Sequence, residues 1–285
     1  MKQKLIFSLL KTIARLPLGA LYLFADFITP ILYYVIKYRR KVVRANLTTS
    51  FPDKELKEII DIEKKFYLYL ADQMVETLKL LHISDEEMRE RVKIINYEAI
   101  NSCLEKGQNV VLLLGHYCNW EWVQEISRYF TPGSFMASIY HPLKSRMWDD
   151  LFIDLRKRWG AHIIPMKKAP RVLLDRKNFP WVCGFIADAR PDSHNNDNCL
   201  KFLNHDTWFI TGPEVIGDKV NAAYFYLEMI KKKRGYYDII FHPLLPKETN
   251  ENYPHTRMFW AMFEDTINRA PAYWLWSHKR WKFKS

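Results

Sequence analysis

Val110-Val111-Leu112-Leu113-Leu114-Gly115-His116-Tyr117-Cys118-Asn119-Trp120-Glu121 decides how this chain is read: an unbroken apolar run ends in a glycine, a histidine and, five positions later, a glutamate. The apolar run predicts a strand buried on both faces, and Gly115 permits a sharp turn at its end. Open α/β sheets bind ligands beyond the carboxyl ends of their strands, which is where this polar cluster falls. On one continuous helix, positions i and i+5 point about 140° apart, so His116 and Glu121 meet most easily across a strand-turn-helix junction. There Glu121 is expected to accept a hydrogen bond from one imidazole nitrogen and fix the tautomer, while the other nitrogen takes a proton from a hydroxyl. That is general-base chemistry suited to acyl transfer. A strand-end histidine satisfied by local hydrogen bonds would carry the same two residues.

The 285 residues, 48% of them hydrophobic, suffice for one substantial core, and no Ser/Gly-rich linker or internal repeat divides them. A net charge of +11 favours acidic partners: anionic lipid surfaces, phosphorylated glycolipids, an acidic carrier protein or nucleic acid. Cys103, Cys118, Cys183 and Cys199 form no C-x-x-C pair, which points to free thiols in a reducing compartment and a domain facing the cytoplasm.

Leu16 to Ile36 is apolar apart from Asp26 and approaches the roughly 20 residues that span a bilayer. Lys2, Lys4, Lys11 and Arg15 precede it, and Lys37, Arg39, Arg40, Lys41 and Arg44 follow, a slight positive-inside preference for a cytoplasmic C-terminal side. Asp26, Pro17, Gly19 and Pro30 disturb a simple spanning helix, so an interfacial or re-entrant anchor is equally open. A buried pair of core helices is the remaining possibility. The expected organisation is a hydrophobic membrane anchor with its basic flank over 1–45 and a catalytic domain over 46–285.

Leu56 to Leu81 has helical spacing, and Ser84 with Glu87 resembles a capping box for a short helix from about Glu86 to Val92. Strands are expected at Phe135–Tyr140, Ile163–Ile164, Trp181–Ala187, Ala222–Leu227 and Tyr237–Phe241, with helices around Trp148–Arg158 and Phe259–Ile267. This rhythm predicts an α/β fold with a mixed central sheet flanked by helices.

Asp188 is a second charge at the end of an apolar run, and Arg156 closes a predicted helix, where a base suits the dipole. Asp192, His194 and Asp197 match no metal-binding pattern, and no metal is expected. Cys118 could form an acyl thioester, but a buried small hydrophobe is the commoner fate of such a cysteine. The closing Tyr273 to Lys282 interleaves aromatic and basic residues. Membrane-interface anchors and single-strand nucleic-acid binders both do this; beside an N-terminal anchor the interface is favoured, and no nucleic-acid motif is present.

Together these motifs resemble the late acyltransferases of lipid A biosynthesis, the lauroyl/myristoyl transferase family, and especially their Bacteroidetes-like forms. The resemblance runs through Tyr38 to Leu47, Ser50-Phe51-Pro52, Gly115-His116 to Asn119-Trp120-Glu121, Tyr140 to Gly160, Thr211-Gly212-Pro213-Glu214 and Trp274 to Lys282. Its H-x4-E element is shared with the broader glycerolipid acyltransferases, whose fold it implies. The resemblance implies transfer of a fatty acyl chain from acyl carrier protein to a hydroxyl of a lipid A precursor at the bacterial inner membrane. It implies no cofactor, the acyl thioester being a co-substrate, and partners limited to the carrier, the precursor and anionic lipids, without nucleic acid. His116 would be the base, Glu121 its orienting partner, and Arg156 and Asp188 would bind substrate or stabilise the transition state. Tyr140-His141-Pro142 and Asp188-Ala189 depart from the family's Tyr-Arg-Pro and Asp-Gln, and the lost arginine suggests an acceptor with fewer phosphates. Another acceptor, a lysophospholipid or aminolipid, and a non-catalytic basic membrane-binding protein remain alternatives.

Overall fold

The apolar run becomes β2 (Val110–Leu114), buried along its whole length, in a computed structural model that describes residues 2–176, 180–191, 198–247 and 250–281. β2 lies inside a seven-stranded sheet, in parallel pairing with β5 (Trp181–Ile186) on one side and β8 (Ala223–Lys233) on the other. Beyond β5 follow β3 (Phe135–Tyr140) and β4 (His162–Pro165), both parallel. Beyond β8 come β9 (Tyr236–Pro243), antiparallel to it, and β1 (Val92–Ile95), parallel to β9. The order is therefore β1-β9-β8-β2-β5-β3-β4, the predicted mixed sheet. Its antiparallel pair turns at Gly235, whose φ of +71° suits a residue without Cβ.

A separate hairpin, β6 (Cys199–Phe202) and β7 (His205–Trp208), has no counterpart among the expected strands. Leu203 and Asn204 form its two-residue turn with φ of 47° and 65°, the positive pair that matches strand twist. Neither is a glycine, so the usual turn signal is missing from the sequence.

The first residues form α1 (Lys2–Ala14), α2 (Leu18–Pro30) and a π-helical turn, Ile31–Val35, which follows the proline that lacks a backbone donor. Then come α3 (Arg40–Ser50) and the predicted long amphipathic helix, α4 (Leu56–Lys79). α2 turns Leu18, Leu21, Tyr22 and Ala25 inward, and the Tyr22 hydroxyl donates to Glu76 of α4 at 2.7 Å. Asp26 meets Arg234, from the β8–β9 turn, at 2.7 Å. The other side is bare: Leu23, Phe27 and Val35 are 72%, 66% and 74% exposed. Leu18–Val35 is long and apolar enough to cross a membrane, yet one of its faces is bound to protein and shares the core with the rest of the chain.

α5 (Asp85–Arg91) begins at Ser84, whose hydroxyl accepts the Glu87 N–H at 3.0 Å, half of the expected capping box. α6 (Glu98–Glu105), α7 (Arg146–Lys157), α8 (Ala169–Asp175), α9 (Gly212–Asp218) and α10 (Pro254–Arg269) complete the helices that flank the sheet. The closing aromatic segment corrects an expectation. Trp274 and Trp276 are buried core residues rather than a membrane-interface belt, because Leu275 and Cys118 hydrogen-bond this segment to the backbone beyond β2 and turn alternate side chains inward. Lys282 lies outside the described residues.

Candidate active site

β2 and β5 run in parallel with Leu114 opposite Ile186, and the ladder continues from Ala187 N–H to the Leu114 carbonyl at 2.7 Å. The same register carries His116 and Asp188 side by side off the ends of the two strands. His116 Nδ1 lies 2.7 Å from Asp188 Oδ1, and the His116 backbone N–H donates to Asp188 Oδ2 at 3.1 Å. Trp274 Nε1 donates to that same oxygen at 2.8 Å. Burial alone would raise the Asp188 carboxyl, but His116 and these donors outweigh it and hold the group down to about 2. An ionised Asp188 accepts, so Nδ1 carries the proton and Nε2 offers its lone pair. Burial pulls His116 down, yet the charge and hydrogen bond of Asp188 leave it above the ordinary imidazole value. The imidazole side chain keeps 30% exposure, so the ring is oriented and still reachable.

Glu121 does not fill the place expected for it. It starts the 3-10 turn Trp122–Tyr129 and accepts two hydrogen bonds from Arg156 of α7, from Nε at 2.8 Å and Nη2 at 2.6 Å. The guanidinium fork matches both carboxylate oxygens, an arrangement an imidazole cannot offer, while Asp188 has already taken Nδ1. The four predicted residues therefore converge as two pairs, His116 with Asp188 and Glu121 with Arg156. The pairs remain electrically coupled, since Glu121 favours a protonated His116 and Arg156 opposes it. Arg156 is itself held above its ordinary value, its burial being outweighed by Glu121.

The turn between these residues is fixed from several sides. A Cβ on Gly115 would run into the Phe263 ring, so this glycine serves close approach; its φ is not among the positive ones. Cys118 takes the left-handed conformation at φ 50°, its carbonyl accepting from the Tyr69 hydroxyl at 2.8 Å. Its thiol is fully buried, and burial drives its pKa upward, which argues against a thiolate nucleophile. Asn119 donates to the buried Glu76 at 2.6 Å, and Tyr237 donates to the same Glu76 oxygen at 2.8 Å. Burial raises the Glu76 carboxyl, and its hydrogen bonds with Tyr22, Asn119 and Tyr237 partly offset that. Trp274 and Glu76 were not singled out in the sequence. In the sequence Trp274 reads as a membrane-interface residue and Glu76 as one more charge of an amphipathic helix, although Glu76 and its neighbours Asp72 and Lys79 are buried.

Glu214, Asp218 and His255 bring ligand atoms within 4.8 Å of one another. Glu214 accepts the backbone N–H groups of His255 and Thr256 at 3.0 and 2.8 Å, and Asp218 accepts the Tyr224 hydroxyl at 2.6 Å. This reads as a cap on α10, with the acids occupied by protein donors. Asp192, His194 and Asp197 lie outside the described residues. His141 Nδ1 lies 3.0 Å from the carbonyl of its neighbour Pro142, and all four cysteines are free.

The family model for bacterial lipid A biosynthesis acyltransferases matches residues 3–283. The chain belongs to that family. A lipid A biosynthesis acyltransferase of Haemophilus influenzae is 25% identical over 130 residues, which is 44% of this chain and 39% of that protein. The match to the lipid A acyltransferase family takes in the apolar N-terminal helices, both charge pairs and Trp274, whereas the similarity to this relative spans less than half of either chain.

Proposed function

We propose that this chain is an O-acyltransferase that moves a fatty acyl chain from an acyl thioester, that of acyl carrier protein, to a hydroxyl of a lipid A precursor. The observation that carries this is His116 held by ionised Asp188 with Nε2 left to act, in a chain of the lipid A acyltransferase family. His116 Nε2 removes the proton of the acceptor hydroxyl as its oxygen attacks the thioester carbonyl. Asp188 stabilises the imidazolium that forms. The tetrahedral oxyanion needs a donor, and Arg156 supplies it from Nη1, its Nε and Nη2 being spent on Glu121. Collapse breaks the carbon–sulfur bond, and the leaving thiolate takes the proton from Nε2. The carrier thiol and the new ester are released, and no metal or other cofactor enters the balance.

The acceptor is a membrane lipid, and the bare apolar face of α2 suits it. Leu23, Phe24, Phe27, Val35 and Ile36 face outward, flanked by Arg15, Lys37 and Lys41, while Asp26 is neutralised by Arg234. A helix bound to protein on one side and apolar on the other fits a place within one leaflet, its basic flanks at anionic headgroups. That leaflet is the cytoplasmic face of the bacterial inner membrane, where the acyl carrier is available.

The test is transfer of labelled acyl groups from acyl carrier protein to a tetra-acylated lipid A precursor by membranes holding wild type or His116→Ala, with the product weighed by mass spectrometry. A penta-acylated product is expected from wild type, reduced about 10²- to 10⁴-fold in the variant. Equal product from both removes His116 as the base, and acylation of a lysophospholipid or aminolipid instead identifies a different acceptor.

A further inference from the structure

The segment after Trp274 lies against the catalytic turn, with the Leu275 N–H donating to the His116 carbonyl at 3.1 Å. It leads to Arg280, which is only 4% exposed. The guanidinium donates from Nη2 to the Trp208 carbonyl at 2.6 Å and lies 4.9 Å from the Trp260 ring. Its Nε and Nη1 are buried with no hydrogen-bond partner among the described residues. Leaving buried donors of a cation unsatisfied is costly, so an anionic group brought to this place would be favoured.

Asp188 is the acid whose charge reaches Arg280, but it cannot serve as the partner. Its Oδ1 is taken by the His116 ring and its Oδ2 by the His116 backbone and Trp274. The exposed His278 lies within electrostatic reach of Arg280, His116 and Asp188, and burial holds its imidazole below the ordinary value, so it offers a neutral hydrogen-bonding ring. A buried cation with open donors thus stands beside a carboxylate whose oxygens are already committed.

We propose that Arg280, with His278 beside it, forms a phosphate-binding subsite on the Asp188 side of His116, filled by a phosphate group of the substrates. The identity of those substrates rests on the acyl-transfer reading; the anion site itself rests on Arg280. Two sources carry the same chemistry: a glycolipid phosphate on the acceptor and the phosphodiester of the carrier's pantetheine arm. A guanidinium with open N–H donors in a desolvated place is the side chain best matched to either.

The experiment compares wild type, Arg280→Lys, Arg280→Met and His278→Gln, the last on an exposed side chain whose replacement leaves the core untouched. Each full-length protein is assayed in lipid vesicles with the acceptor carrying or lacking its phosphates, and with acyl carrier protein or the acyl thioester of phosphate-free pantetheine. We expect wild type to prefer the phosphate-bearing member of one pair. The ratio of KM values within that pair should fall about tenfold in Arg280→Met and His278→Gln and be partly kept in Arg280→Lys, and the pair affected identifies the source. Inorganic phosphate and pyrophosphate should also raise the Tm of wild type and not that of Arg280→Met, a readout that does not depend on turnover. If the variants lose rate equally on phosphate-bearing and phosphate-free substrates, or wild type shows no phosphate-dependent Tm shift, the subsite is overturned. A phosphate-dependent Tm shift without acyl transfer by wild type would sink the acyl-transfer reading and keep the anion site.

Discussion

Asp188→Asn should abolish the base while leaving its position almost unchanged. Two donors, the His116 backbone N–H and Trp274 Nε1, converge on Asp188 Oδ2 at 3.1 and 2.8 Å, so the amide oxygen of an asparagine must take that place. Its NH2 then faces His116 Nδ1 across the 2.7 Å now spanned to Oδ1. A donor there forces Nδ1 to accept and moves the ring proton to Nε2, the atom that has to remove the hydroxyl proton. Loss of the productive tautomer predicts a fall in kcat of about 10³- to 10⁴-fold. Glu121→Gln leaves the Asp188 contact intact and should cost about 10- to 100-fold, the equivalent of one charge-assisted hydrogen bond of about 1.5–3 kcal/mol. The pH profile separates the two further. Activity needs neutral His116 and rises as pH passes a pKa held above the ordinary imidazole value by Asp188; in Asp188→Asn the residual rate should rise at lower pH. The assay is single-turnover acyl transfer across pH, with circular dichroism confirming that both variants fold. An Asp188→Asn protein within tenfold of wild type, beside a Glu121→Gln protein reduced a thousandfold, would refute the assignment and restore Glu121 as the orienting group.

The same pair predicts an acid limb in stability. Asp188 titrates at about 2 when folded, below the roughly 3.9 of an unfolded aspartate, so its contribution is complete above that unfolded value and disappears as pH falls toward 2. Urea midpoints of wild type and Asp188→Asn should therefore converge between about pH 4 and pH 2. Gly115→Ala should destabilise by about 1–3 kcal/mol through overlap with the Phe263 ring and impair activity, and Phe263→Leu in the same chain should restore both; denaturation curves and kcat check this. Glu76→Ala strips the partner from Tyr22, Asn119 and Tyr237 and should cost about 3 kcal/mol or more in chemical denaturation. Replacing Leu23 and Phe27 together by serine should weaken binding to anionic vesicles about 10²- to 10⁴-fold, at about 1.5–3 kcal/mol per buried apolar side chain, with the thermal midpoint unchanged; flotation assays measure it.

What the sequence could tell follows from the range of each signal. The β2 strand and its polar turn are local, and five apolar residues before Gly115 suffice to announce them. The pairing of His116 with Asp188 depends on strand neighbours that no local pattern names. Yet both residues stand two positions past an apolar strand, and once β2 and β5 are paired in parallel with Leu114 opposite Ile186, the register brings them together. The i+5 geometry favoured Glu121 because it weighed only partners within one motif, and Arg156 arrives from another helix. Asp26 read as a defect in an apolar stretch for the same reason, its partner Arg234 being far along the chain.

The closing segment shows how composition misleads when periodicity is passed over. Trp274 and Trp276 alternate with the less buried Tyr273 and Leu275, the period of an extended chain with one inward face, and Tyr117 pairs with Trp274 in an antiparallel bridge. Asn46 of α3 donates to the carbonyls of Trp276 and His278 at 2.9 and 3.0 Å, and Arg39 donates to that of Ser277 at 3.0 Å. The basic flank of the apolar N-terminal helices thus grips the strip of chain that supplies Trp274 to Asp188 and that hydrogen-bonds to His116. On the proposed reading, a lipid surface that fixes α2 would also fix the orientation from which an acceptor hydroxyl reaches Nε2. The N-terminal segment is consequently part of the site's framework: detaching it removes Tyr22 from Glu76 and Arg39 from the Ser277 carbonyl, so its removal should impair catalysis as well as the proposed membrane binding.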